Sequence, residues 1–153
     1  MLLHSPPLAA GWSAFLGAVR RDLSLPPRLV ELVTCAVAAL NGAEYQWEQH
    51  AHLFLAAAAA DDARDGATAE GAEGGGASAP AGAADAASAC DRAALALAAE
   101  MTRGPRVRDA TFAAARAALG SDRGALELVG VAAAYNMVSR LLLATGVGPE
   151  GRA

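Results

Sequence analysis

Between residues 41 and 50, a chain otherwise dominated by alanine and leucine gathers Asn41, Glu44, Tyr45, Gln46, Trp47, Glu48, Gln49 and His50. These groups suit proton transfer: imidazole titrates near neutral pH, and a carboxylate partner fixes its tautomer and raises its basicity. Such a carboxylate, Glu31, opens an apolar helical run nineteen residues before His50. An acid and an imidazole at that separation can meet across a helix hairpin, so Glu31 and His50 are the expected catalytic pair. The same two residues also fit a satisfied helix-interface histidine and a helix-terminal acid without catalytic work. Gln46, Trp47 and His50 are expected on one helix face, with Tyr45 projecting elsewhere. Cys35, four residues after Glu31, either lines the same pocket or is a small buried hydrophobe, and no neighbouring base is present to lower its pKa. Tyr135-Asn136 interrupts an apolar helix, as a hydrogen-bonded core pair or as a pocket wall.

These side chains must be carried by helices. A hydrophobic share of 54% with only 5% aromatic residues means a core of Ala, Leu and Val, which favours close-packed helices over a sheet. The fold class is therefore all-α, with six helices. The first spans Ala9 to Leu23, with Trp12, Phe15, Leu16 and Val19 at helical spacing. Ser24-Leu25-Pro26-Pro27 starts the second, which runs to Leu40 and stops at Asn41-Gly42. Ala43 to about Ala60 forms the third. Helices then follow over Asp91 to Met101, Val107 to Leu119 and Asp122 to Thr145, the last stopping at Gly146. Residues 61–89 contain no Leu, Val, Ile or aromatic residue, and a flexible Ala/Gly-rich loop is expected there.

At 153 residues the chain fits one domain. A net charge of −4 with twelve scattered basic residues speaks against a nucleic-acid partner. Cys35 and Cys90 have neither disulfide-framework nor metal-ligand spacing, which suits a reducing cytoplasm. Gly74-Gly75-Gly76 follows no strand and precedes no P-loop lysine, so phosphate binding is not expected. No signal segment is visible, and the apolar runs near 51–60 and 125–135 are too short or interrupted to span a bilayer. A soluble cytoplasmic protein is expected.

Three blocks carry a family resemblance: Leu25-Pro26-Pro27-Arg28-Leu29-Val30-Glu31-Leu32-Val33, then Gly42-Ala43-Glu44-Tyr45-Gln46-Trp47-Glu48-Gln49-His50, and Glu127-Leu128-Val129-Gly130 with Ala134-Tyr135-Asn136-Met137-Val138-Ser139-Arg140-Leu141-Leu142. Together they resemble the carboxymuconolactone decarboxylase family, among the alkylhydroperoxidase D-like proteins. The resemblance covers about residues 24–55 and 90–147. It implies an all-α fold of about six helices in a homotrimer or homohexamer, with a pocket near a subunit interface and neither metal nor organic cofactor. The peroxidase branch uses a Glu, a C-x-x-C pair and a His in fixed spacing, and that pattern falls on Glu31, Ala43, Gln46 and His50. Without the dithiol, thiol peroxidase chemistry is not expected. The chain looks like the decarboxylase branch, a cofactor-free carbon-carbon lyase acting on a small cyclic carboxylic acid or lactone. In that frame His50 would protonate the carbanion or dienolate left by CO2, Glu31 would hold His50, and Tyr45 would donate to the enolate oxygen. Trp47, Gln46, Cys35 and Tyr135 would contact substrate. Family members usually carry an ordered helical hairpin after the position of Leu55, so the loop expected here implies a more open pocket. A tailoring enzyme acting on a larger secondary-metabolite scaffold is therefore a second expectation, and a non-catalytic oligomeric binding protein a third.

Overall fold

A computed structural model describes residues 2–70 and 82–148. After a 3-10 turn at Leu2–His4 come α1 (Pro6–Arg21), α2 (Pro27–Asn41), α3 (Glu44–Glu70), α4 (Gly82–Arg103), α5 (Asp109–Leu119) and α6 (Asp122–Thr145), with no strand among the described residues. The all-α expectation is met, and the starts and stops have local causes. Proline stands in the first turn of α1 and α2, where a missing N–H costs nothing. Ser121 Oγ accepts from Gly124 N at 3.0 Å and starts α6.

Gly42 ends α2 in the left-handed region, at φ 66°. There Gly42 N donates to Ala39 O at 3.2 Å and Ala43 N to Ala38 O at 2.9 Å, the paired bonds of a Schellman turn. The chain reverses at once into α3, which packs along α2.

The core is built mainly on α2, α4 and α6. Val33, Val37, Leu97, Ala98, Leu128, Val131 and Tyr135 are all fully buried. Many of its contacts are made by alanine, which lets helix axes approach closely at little side-chain entropy cost. Among the described residues α6 is long and apolar enough to cross a bilayer, longer than the apolar run read from the sequence. Here it is a core helix, with Tyr135, Asn136 and Ser139 buried along it.

Within the expected loop at 61–89, residues 61–70 and 82–89 are helical. α3 continues to Glu70 and α4 begins at Gly82, while residues 71–81 lie outside the described residues. Lack of large apolar residues was the basis of the loop expectation, yet alanine has the highest helix propensity and carries these extensions. Ion pairs add to it: Arg28 Nη2 donates to Asp91 Oδ1 at 2.6 Å, and Arg28 Nε lies 3.7 Å from Asp61. One guanidinium on α2 thereby ties α3 to α4. The inference of an open pocket loses its ground over 61–70 and 82–89.

Candidate active site

The hairpin of α2 and α3 brings Glu31 and His50 together. Glu31 Oε2 lies 2.7 Å from His50 Nδ1, with His50 6% exposed. An ionised carboxylate accepts only, so opposite Glu31 the hydrogen of this bond sits on Nδ1. A charge-assisted bond of this kind in a sheltered place contributes about 1.5–3 kcal/mol.

Tyr135, on α6, backs the imidazole. Its ring meets His50 edge to face, with centroids 5.0 Å apart and planes at 83°. Its phenol oxygen accepts from Arg20 Nε on α1 at 3.3 Å. Tyr135, expected from the sequence to contact substrate, is fully buried and packs against the His50 ring. Asn136 is a core group with partners, donating to Thr102 Oγ1 at 3.0 Å and accepting from Asn41 Nδ2 at 3.0 Å.

Gln46 and Trp47 do not share a face. Gln46 is 2% exposed and points to α6, where Oε1 accepts from Ser139 Oγ at 2.9 Å, whereas Trp47 is 47% exposed. A step of one residue turns a helix by about 100°, so Gln46 and His50, four apart, align while Trp47 falls on the flank. Gln46 Nε2 is buried without a hydrogen-bond partner, a situation that costs about 1–3 kcal/mol.

Trp47 and Cys35 lie together in an apolar groove of about 380 Å³ on the outer side of the hairpin, with Leu32, Ala36, Phe54 and Leu55. Burial, and then the negative charge of Glu31, pushes the Cys35 thiol up to about 11. At neutral pH it is a protonated, weakly reactive group. Tyr45 lies elsewhere, beside Gln46 in a depression of about 270 Å³ between the α2–α3 turn and the end of α6. The seven residues thus fall into three places: Glu31, His50 and Tyr135 inside, Cys35 and Trp47 in the outer groove, and Tyr45 with Gln46 at the hairpin end. A larger depression of about 600 Å³ near Phe112 and Gly120 presents Arg116 and Asp122 as its charged groups, and these pair with each other.

Sequence reasoning missed Ser139 and Arg20. Ser139 stands one turn after Tyr135 on the same face of α6, a spacing that could have revealed it. For Arg20 the sequence carries no signal, since its link to Tyr135 spans 115 residues. Among the described residues no cluster of three or more His, Cys, Asp or Glu side chains is arranged to hold a metal.

Comparison with curated proteins and with solved structures gives no match. The model of the carboxymuconolactone decarboxylase family matches residues 6–100, from the start of α1 to near the end of α4, and so includes Glu31, Gln46 and His50 but not Tyr135. With well over half of its 153 residues matched, and an all-helical fold, the chain belongs to the carboxymuconolactone decarboxylase family.

Proposed function

We propose that the protein is a cofactor-independent lyase that decarboxylates a small cyclic carboxylic acid or lactone by proton transfer. The family includes decarboxylases alongside peroxidase-like members. The observation that carries the proposal is the sheltered 2.7 Å contact between Glu31 and His50. When the bond to the carboxylate breaks, CO2 leaves and its electron pair enters a dienolate. His50, protonated with Glu31 as counter-ion, delivers a proton from Nε2 to carbon, and the next substrate cycle restores it from water. The thiol alternative lacks support, because Ala43 and Gln46 occupy the positions of the peroxidase dithiol and the Cys35 thiol is held near 11.

The protein acts on this reading as a homotrimer or homohexamer in the cytoplasm. Support comes from α3, which leaves Trp47, Leu53 and Leu55 exposed, and from two unpaired cysteines. Sedimentation should give three or six chain masses.

The test is CO2 release from 4-carboxymuconolactone. Wild-type protein should turn it over, and Glu31→Gln and His50→Ala should each lose about 10²–10⁴-fold. Equal rates in all three proteins, or none in folded wild type, refute the proposal. Peroxide consumption with a dithiol reductant should be at background.

A further inference from the structure

Gln46 holds a capacity that the acid/base pair does not use. Ser139 Oγ lies 2.9 Å from both Gln46 Oε1 and Tyr135 O, and with Oε1 turned to Ser139 the amide leaves Nε2 as a buried donor without an acceptor. Among the described residues it is the one buried side-chain nitrogen or oxygen so left. Gln46 also lines the depression at the hairpin end, where Tyr45 adds a phenol and Leu142, Leu143 and Val147 supply an apolar wall. The depression lies at the N-terminus of α3, the positive end of the helix dipole.

We propose that this depression binds the carbonyl group of a small neutral apolar compound, with Gln46 Nε2 and the Tyr45 phenol donating to its oxygen. A donor left unpaired in a sheltered place selects an acceptor, because a ligand lacking one leaves it unpaired. Glu44 puts a carboxylate on the same rim, which makes a neutral carbonyl a better match than an anion. At about 270 Å³ the space is below the range of drug-sized pockets and suits a single ring. Gln46 and His50 are one turn apart on α3, about 6 Å along the axis. The residue that would hold the carbonyl thus precedes the imidazole by one turn of the same helix. The inference deepens the proton-transfer proposal and rests on it for its catalytic meaning, but the binding does not depend on it.

The test is a titration of the full chain, labelled with ¹⁵N, with cyclohexanone. The Gln46 side-chain NH2 pair should shift together with the Tyr45 and Val147 amides, and saturate. Gln46→Met should weaken binding at least about tenfold, and Tyr45→Phe, which leaves the core intact, severalfold. Cyclohexanecarboxylate should bind more weakly than the ketone. His50→Ala should still bind cyclohexanone, and wild-type protein that binds cyclohexanone at Gln46 but releases no CO2 from 4-carboxymuconolactone would remove the proton-transfer proposal and leave this one standing. Absence of shifts at saturating cyclohexanone, shifts confined to the Trp47 groove, or equal affinity in Gln46→Met overturns the site.

Discussion

Tyr135→Phe and Tyr135→Ala should separate what the phenol oxygen does from what the ring does. The hydroxyl accepts one long bond, 3.3 Å from Arg20 Nε, and Arg20 is exposed, so water replaces the lost partner. Removing it costs about 1 kcal/mol or less. The ring is fully buried and meets His50 edge to face. Truncating a buried aromatic to alanine costs about 3–5 kcal/mol, and losing the aromatic pair roughly 0.5–1.5 more. The sum is a large share of the roughly 5–15 kcal/mol that holds a domain of this kind together. Urea denaturation at 25 °C reads the difference directly, and a loss of 1 kcal/mol corresponds to about 2–4 °C in Tm. The phenylalanine variant should also keep the Nδ1–H form of His50, observed by ¹⁵N chemical shift. If Tyr135→Phe proves as damaging as Tyr135→Ala, the Arg20 bond and not ring packing holds the imidazole, and the reasoning fails.

Three further outcomes are expected. Glu100 accepts from Arg108 N, Arg108 Nε and Thr111 Oγ1, and these bonds hold its carboxyl down at about 2. Its folded pKa is depressed, so its contribution is present above about 4.5 and lost as pH falls through about 2; Glu100→Gln should flatten stability over that interval in denaturant midpoints measured against pH. Cys35 in a Cys90→Ser background should react with iodoacetamide about 10²-fold more slowly at pH 8 than a free thiol, with the rate still climbing above pH 9.5, whereas a plateau near pH 8.5 contradicts the raised thiol. Gly42→Ala should cost about 1–2 kcal/mol through backbone strain alone, since a Cβ there meets nothing within 4 Å, and Gly42→Asn should cost less in the same unfolding assay.

Helix ends with chemical markers were legible in the sequence. Gly146 closes α6 and Gly42 closes α2, because capping depends on residues adjacent in the chain. The far parts of α3 and the start of α4 were not legible, since alanine-rich sequence is silent on whether helix propensity or loop entropy wins. The Glu31–His50 contact could be read because a tight turn converts sequence spacing into proximity. Its support could not: Tyr135 comes from α6 and Arg20 from α1, contacts set by packing over long separations. The orphan nitrogen of Gln46 was beyond reach for the same reason, as it depends on which atom Ser139 engages.

The left-handed turn at Gly42 also sets the rotational phase of α3 against α2. One residue added between Gly42 and Glu44 would swing every later side chain of α3 by about 100° around its axis. Each helix could still form, and α2 would keep Glu31 where it is, but His50 would face another neighbour. A length change in this two-residue connection therefore acts as an on/off switch for the pair, whereas additions after Glu70 leave its phase untouched.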